Sequence, residues 1–335
     1  MIILFPCYIS ANENESAQNK LVQNAVAINP IPTPVILDVD MCTDTDDMIA
    51  VRIIQEYDKQ GFVDFKALML SVENDLQQGK TACEGILDAY NTTDVWVGTS
   101  SSGIIETKLP YWGWLSSNKK VEHYTDIAVR QYRRILSTNN NVVIVITGHF
   151  DNLWQLIKSQ PDDISNETGL QLIQEHVKFF DICGVWKGKT NGYTGFENNT
   201  CYYSSSYIAS SNFYEYIGKI GVPIYQYAED GTLAGNIIVG GKDQLDKDDV
   251  VYKAFNGANK YDGGYGWDAI CAWTLLPILT NNFELYGMNC EQYMVTSTWQ
   301  PSTRFKSIPD VKGNVTMMNM TWNPKTYKLY IDDAY

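Results

Sequence analysis

Five aspartates lie within ten residues of one another: Asp38, Asp40, Asp44, Asp46 and Asp47. Carboxylates this close together repel one another unless protons or a cation offset their charge. Few nitrogen or sulfur donors stand nearby, so the group favours a hard cation, calcium or magnesium. The segment is not an EF-hand loop, because the glycine and the closing glutamate of that loop are absent. The sequence therefore predicts a cation site with oxygen ligands.

A helix N-terminus explains only part of this acidic segment. Asp46 and Asp47 open a helical pattern that continues to Tyr57, and acidic residues in a first turn interact favourably with the helix dipole. Asp38 and Asp40 stand at the end of the preceding apolar run, where the dipole gives no reason for them. We therefore expect these two carboxylates to have a role in chemistry or in cation binding.

The elements that must position these residues alternate in type along the chain. Apolar strand-like runs occur at Val35–Leu37, Phe65–Val72, Val95–Gly98, Val142–Thr147, Phe179–Val185 and Pro223–Tyr227, with helical stretches between them. This pattern predicts an α/β fold, a single domain with a mainly parallel central sheet flanked by helices. After Tyr293 the pattern changes to alternating strands, which we interpret as a β-rich C-terminal appendage with a hairpin turn at 323–326. In such sheets the carboxyl ends of the strands carry the chemistry, and this edge would join the acidic segment to Thr147.

From Val35 to Ala50 the sequence resembles the start of the inosine-uridine-type nucleoside hydrolases. The resemblance continues through Ser71–Asn74, the T-G-x-x-x-N-L segment from Thr147, the N-x5-E-x-N segment from Asn191, and Trp267–Asp268. The five segments occur in the right order, each after a predicted strand or at a helix start. The resemblance implies a nucleoside hydrolase-like domain over residues 34–335. It also implies hydrolysis of the N-glycosidic bond of ribonucleosides to free base and ribose.

The resemblance also implies a role for each matched residue. Calcium would be held by Asp40, Asp47, the backbone carbonyl of Thr147 and Asp268. Asp40 would act as the general base on a metal-bound water, and Asp38 would support the metal loop from behind. The ribose hydroxyls would be bound by Asp46, Asn74, Asn191, Glu197 and Asn199.

The leaving base is the second half of the predicted reaction. Many family members have a histidine immediately before the last aspartate, whereas this chain has Trp267. That residue resembles the purine-preferring branch, in which indole rings sandwich the base and solvent protonates it. Trp112 or Trp114 would form the second wall, although ordinary core packing explains either residue equally well. His149, in the loop after Thr147, is the rival proton donor.

Two other functions fit the same acidic segment. Haloacid-dehalogenase-like phosphatases also place D-x-D after a first strand, and there Asp38 would be the nucleophile and Asp40 the acid beside magnesium. Cys42 stands where those enzymes usually have threonine or valine, so the nucleoside hydrolases match better. A catalytically silent, calcium-stabilised nucleoside-binding protein is the third alternative, and the presence of Asp40 argues against it.

Composition limits the partners. The chain has 335 residues and a net charge of −14, without a basic stripe that would displace counterions from a polyanion. We therefore expect a small-molecule nucleoside as partner rather than a nucleic-acid polymer. No apolar run approaches the roughly 18 residues of a membrane span, so none is predicted. The sequence leaves a homo-oligomer open.

The N-terminal residues favour a secreted protein. Residues 1–11 are apolar and end in a small residue, which resembles a signal peptide, and residues 12–33 form a polar leader. The six cysteines beyond the leader contain no C-x-x-C pair, so structural zinc is not expected and disulfide connectivity stays open. Glycosylation sequons begin at Asn14, Asn91, Asn166, Asn198, Asn314 and Asn319.

Overall fold

A computed structural model describes residues 31–41, 45–101, 104, 111–187, 193–196, 204–229, 236–297, 305–309, 315–322, 324–332 and 334–335. The predicted signal peptide and most of the polar leader lie outside these residues. So do Cys42 and Cys201. Four cysteines within the described residues carry free thiols: Cys83, Cys183, Cys271 and Cys290. No described helix has both the length and the apolar character needed to cross a membrane.

Most strands of the domain join one large twisted sheet. Their bounds are β1 Thr33–Val39, β2 Val63–Leu70, β3 Trp96–Thr99, β4 Thr125–Ile127, β5 Val142–Ile146, β6 Val177–Lys187, β7 Tyr193–Phe196, β8 Ile224–Glu229, β9 Ile238–Val239, β10 Gly264–Tyr265, β11 Met288–Ser297, β12 Phe305–Pro309 and β13 Val315–Met320. The order across the sheet is β12-β11-β13-β8-β6-β5-β1-β2-β3-β4, with β7 beside β6. The central pairs are parallel, and β9 and β10 form a separate two-stranded antiparallel sheet.

Helices fill most of the connections between the parallel strands, as the alternating pattern predicts. Their bounds are α1 Asp47–Lys59, α2 Leu76–Ala89, α3 Trp112–Ser116, α4 Ala128–Thr138, α5 Asp151–Lys158, α6 Gly169–His176, α7 Ser204–Ile220, α8 Val250–Gly257, α9 Trp267–Trp273, α10 Leu275–Thr280 and α11 Pro324–Asp332. A 3-10 turn covers Glu284–Tyr286.

The core lies in two layers, one on each face of the sheet. Along β1 the side chains alternate: Leu37 and Val39 pack with α1, α2 and α9, whereas Ile36 packs with α4, α5, α6 and α7. All three are fully buried. Because both faces are covered, the central strands consist of nearly continuous apolar residues, as expected for a buried parallel sheet. The predicted fold class is confirmed: a single α/β domain with a mainly parallel sheet between helices.

The C-terminal residues are rich in strands, as the sequence predicts. β11 and β12 extend the same sheet, and β13 joins them to the central strands by pairing parallel with β8. The predicted hairpin turn at 323–326 is wrong, because α11 begins at Pro324. Proline suits the first turn of a helix, since its missing N–H would have no partner there. The turn-forming residues at 323–326 are compatible with either a hairpin turn or the start of a helix, so the sequence pattern alone did not distinguish them.

Candidate functional site

Three buried aspartates from distant parts of the chain meet at the carboxyl edge of the sheet. Asp40 directly follows β1, Asp47 is the first residue of α1, and Asp268 is the second residue of α9. One carboxylate oxygen of each lies within 4.8 Å of the others. None of the three is more than 6 % exposed. The convergence agrees with the rule that parallel sheets gather functional groups where their strands end.

These carboxylates fit a hard divalent cation. The three side chains offer only oxygen atoms, and calcium takes six to eight oxygen ligands in flexible geometry. Three buried negative charges at this separation are costly without a compensating positive charge. A second group of potential ligands, Glu167, Glu175 and His176, includes an exposed glutamate and does not carry that burial cost. The buried cluster of Asp40, Asp47 and Asp268 is therefore the better candidate for a cation site.

Thr147 lies beside this cluster. Its hydroxyl donates to the Asp47 carboxylate at 3.3 Å, and its backbone N–H donates to the Asp38 carbonyl at 2.9 Å. The following Gly148 N–H donates to the same carbonyl at 3.0 Å. The turn after β5 is thus attached directly to the end of β1, and Thr147 lies next to Asp47.

Asp38 lies on the opposite face of the sheet. Its carboxylate accepts hydrogen bonds from the Tyr132 hydroxyl at 2.7 Å and from the Asn152 amide at 3.1 and 3.2 Å. Burial raises the pKa of Asp38 to about 7, although both hydrogen bonds oppose the rise. These contacts connect β1 to α4 and α5. The Asp38 carboxylate therefore faces α4 and α5 rather than the cluster.

His149 packs against Asp40. Its side chain is fully buried, and Nε2 lies 3.9 Å from the Asp40 carboxylate. The Ser71 hydroxyl holds the His149 backbone, since it accepts the His149 N–H at 3.0 Å and donates to the Val39 carbonyl at 3.0 Å. The predicted rival proton donor therefore lies next to the predicted general base.

Asp46 links the acidic segment to α9. Its carboxylate accepts the backbone N–H of Asp268 at 3.1 Å, a charge-assisted bond at the first turn of that helix. The adjacent Trp267 is half-buried, and its ring lies against Tyr265 with centroids 4.8 Å apart. The base-stacking candidate and the cation-ligand candidate therefore occupy neighbouring positions on one helix turn.

Trp112 and Trp114, the two candidates for the second wall of the base site, have surroundings that differ from each other. Trp112 is fully buried, and its indole N–H donates to the Met41 carbonyl just before the acidic loop. Of the two alternatives for Trp112, base stacking and core packing, its full burial favours core packing. Trp114 is half exposed and packs against Gly257 at the end of α8.

The remaining sequence-predicted residues are divided between described and undescribed parts of the chain. Asn74 is half-buried after β2, at the same edge of the sheet as Asp40. Asn191, Glu197 and Asn199 lie outside the described residues, as does Asp44 of the acidic segment. The ribose-binding roles of Asn191, Glu197 and Asn199 stay predictions from the resemblance.

Two side chains that the sequence gave no reason to select also contact the site. Cys183 on β6 lies with its sulfur 3.4 Å from the Asp268 carboxylate, and the Tyr227 hydroxyl on β8 donates to the Trp267 carbonyl at 3.1 Å. Both side chains are nearly inaccessible to solvent. Only the pairing of β6 with β8 beneath α9 brings them together, so no local motif could have identified them.

Comparisons with solved structures give the same fold. The inosine-uridine preferring nucleoside hydrolase from Bacillus anthracis matches with a TM-score of 0.63 at 11% identity, covering 90% of this chain and 100% of that one. The purine-preferring ribonucleoside hydrolase from Gardnerella vaginalis matches with a TM-score of 0.59 at 13% identity, over 90% and 98%. The type III effector protein XopQ, solved with adenosine diphosphate ribose, matches with a TM-score of 0.67 at 12% identity, over 95% and 97%.

Sequence comparison alone finds no relative. No protein-family model matches the chain, and no curated protein matches it. At 11–13% identity the structural likeness shows architecture rather than activity. The chain therefore has a nucleoside hydrolase-like α/β fold, in which the acidic cluster described above lies at the carboxyl edge of the sheet.

Proposed function

We propose that the protein hydrolyses the N-glycosidic bond of ribonucleosides, preferring purine nucleosides, with calcium as its cofactor. The observation that supports this most is the convergence of Asp40, Asp47 and Asp268 at the carboxyl edge of a nucleoside hydrolase-like fold. These three are the acidic ligands that the sequence resemblance implies. Fold, residue type and position therefore agree, although they come from separate arguments.

Asp40 is the general base of the proposed reaction. Its carboxylate takes a proton from the water that attacks the anomeric carbon, while the bond from that carbon to the base breaks. Asp46 and Asn74 bind ribose hydroxyls, and the carboxylates around the sugar stabilise the positive charge that develops on it. When bound, calcium would hold the sugar and make a nearby water more acidic.

Trp267 is the proposed platform for the base. Stacking on an indole buries a large area and favours a purine, which offers two fused rings and an imidazole nitrogen. Protonation of that nitrogen by solvent lets the base leave as a neutral molecule. His149 stays close to Asp40 in this scheme, so that it adjoins the water-activating side of the site rather than the stacking helix.

The phosphatase alternative requires Asp38 to attack phosphorus. In the structure Asp38 is fully buried, and its two carboxylate oxygens accept hydrogen bonds from Tyr132 and Asn152 on the far face of the sheet. A nucleophile must reach its substrate, and this side chain faces two helices instead. This geometry favours the hydrolase over the phosphatase.

The decisive experiment measures reducing sugar and free base from a panel of nucleosides, with calcium and with a chelator. The panel contains inosine, guanosine, adenosine and uridine. We expect purine nucleosides to be cleaved faster than uridine and the chelator to abolish cleavage. Faster cleavage of uridine would refute the purine preference, and no cleavage of any compound would refute the proposed function.

Two variants separate the alternatives. Asp40→Asn should reduce base release by at least about a thousandfold, since it removes the general base and a cation ligand. Asp58→Asn is the matched control, because this half-buried carboxylate lies at the other end of α1 and accepts only the Phe65 N–H in the described contacts. Release of phosphate from p-nitrophenyl phosphate, lost in Asp38→Asn, would instead support the phosphatase. Calcium-dependent nucleoside binding without any product would support the silent binding protein.

A further inference from the structure

We propose that Cys183 and Tyr227 are positioning residues that orient the first turn of α9 for both of its functions. This inference rests on the proposed function, in which Trp267 stacks the base and Asp268 binds the cation. The two residues lie on β6 and β8, on the sheet beneath that turn. They touch neither substrate nor cation in our scheme, so they would act through the helix residues.

The contacts form a short connected chain. The Tyr227 hydroxyl donates to the Trp267 carbonyl at 3.1 Å and lies 3.5 Å from the Cys183 sulfur. The Cys183 thiol in turn donates to the Asp268 carboxylate at 3.4 Å. Each of the two neighbouring residues on the helix is therefore held by its own donor from the sheet.

The strands beneath the helix are themselves held together at this point. The Gln226 amide donates to the Cys183 carbonyl at 3.1 Å, which ties β8 to β6 beside the two donors. Gln226 is fully buried and accepts the Tyr214 hydroxyl at 3.1 Å. Because these contacts are buried, they fix the positions of the two donors beneath the helix.

Burial makes both donors effective, including the weak thiol donor. Tyr227 is 1 % exposed and Cys183 is 3 % exposed, so water cannot replace either hydrogen bond. A thiol is a poor donor in water, but a carboxylate in a buried site gains from any donor that fixes its orientation. Groups behind a metal ligand commonly alter metal affinity by ten- to a hundredfold when they are removed.

The Asp46 carboxylate completes the arrangement from the opposite side. It accepts the Asp268 backbone N–H at 3.1 Å, while the thiol and the phenol act from the sheet. The turn is thus fixed at a backbone N–H, at a backbone carbonyl and at a side chain. Loss of one contact would leave the fold intact but let the turn shift.

The experiment measures calcium binding and nucleoside kinetics in Cys183→Ala, Cys183→Ser and Tyr227→Phe. Calcium affinity is followed by the melting temperature as a function of calcium concentration, which needs no catalytic activity. Cys183→Ala should weaken calcium binding about tenfold, and Cys183→Ser should restore it to within about twofold because its hydroxyl donates in the same place. Tyr227→Phe should raise KM for inosine about fivefold with a smaller change in kcat, the effect of one lost hydrogen bond that positions the stacking residue.

Matched controls remove the same groups elsewhere. Cys83→Ala deletes another buried thiol, in α2, and Tyr327→Phe deletes another buried hydroxyl, which donates to Gly287. Both should lower stability without changing calcium half-saturation or KM. A purely structural role for Cys183 and Tyr227 would give the same result as these controls, and that outcome would overturn the proposal.

The outcomes are distinguishable from those of the proposed function. If no nucleoside is cleaved but calcium still raises the melting temperature, the function fails and the Cys183 variants still decide the positioning role. If calcium has no effect on wild-type melting, the positioning proposal is overturned as well. Equal calcium affinities for Cys183→Ala and Cys183→Ser would also refute it, because the serine retains a donor and the alanine does not.

Discussion

Replacing Gly148 by alanine tests whether the site depends on a close approach between two backbone segments. A Cβ atom on Gly148 would lie 2.5 Å from the Val39 carbonyl carbon and 2.6 Å from the Asp40 nitrogen, and it would also meet the Ser71 hydroxyl. Ordinary van der Waals contact begins near 3.4 Å, so the turn after β5 must move by almost 1 Å. The obstructing atoms belong to the backbone, which cannot rotate away.

Gly148→Ala should lower both the free energy of unfolding and the catalytic rate. Overpacking a rigid site typically costs about 1–3 kcal/mol, so the free energy of unfolding should fall by at least about 2 kcal/mol. A shift near 1 Å in catalytic groups can reduce rates about a hundredfold, so kcat/KM for inosine should fall by that factor. The shift should also weaken calcium binding, because Thr147 and Asp40 stand on the two segments that are forced apart.

The matched control is Gly113→Ala in α3. A Cβ atom there has no neighbour within 4 Å, and alanine favours a helix over glycine. Urea unfolding should therefore show Gly113→Ala as neutral or up to about 1 kcal/mol more stable. If Gly148→Ala unfolds at the same urea concentration as the wild type and retains its calcium affinity, the close approach is not what builds the site.

Three further predictions concern single groups. Trp267→Leu should raise KM for inosine about tenfold and affect uridine less, as measured by initial rates, since stacking a base on an aromatic ring is worth about 1–3 kcal/mol. Asp268→Asn should abolish the calcium-dependent rise in melting temperature, which in the wild type corresponds to about 2.7 kcal/mol at a hundredfold excess over Kd. Burial raises the pKa of Asp181 well above its usual value, against the opposing hydrogen bond from Thr274. The folded state therefore keeps its proton longer. Stability should fall as pH rises above about 4, by at most about 1.4 kcal/mol per pH unit, and urea unfolding of Asp181→Asn should lack this slope.

The fold was largely predictable because its signals are local. Continuous apolar strands alternating with amphipathic helices indicate a covered parallel sheet, and the central strands from β1 to β8 follow that pattern. The C-terminal part was not predictable in the same way. Alternation after Tyr293 correctly indicated strands, but nothing in it shows that β13 pairs with β8 rather than closing a separate hairpin. Strand order depends on contacts between residues far apart in sequence.

In the candidate site, too, the residues with a local sequence signal were predictable and those placed by long-range packing were not. Asp40 and Asp47 were recognisable because a dense group of carboxylates has few explanations, and Asp268 because its tryptophan neighbour matched a family segment. Cys183 and Tyr227 each look like ordinary core residues, since one thiol and one phenol on buried strands carry no motif. The role proposed for them arises from the packing of α9 on the sheet, which brings each to a partner 85 or 40 residues away in the sequence.

The position of β13 has a consequence for how the chain is made. β13 lies between β8 and β11, so that β8 lacks its final neighbour until residues 315–320 have been synthesised. Until then β8 presents an open strand edge, and β11 and β12 lack the strand that joins them to β8. Such edges are sites where nascent proteins pair wrongly or aggregate. The sheet is therefore completed only after residues 315–320 have been synthesised.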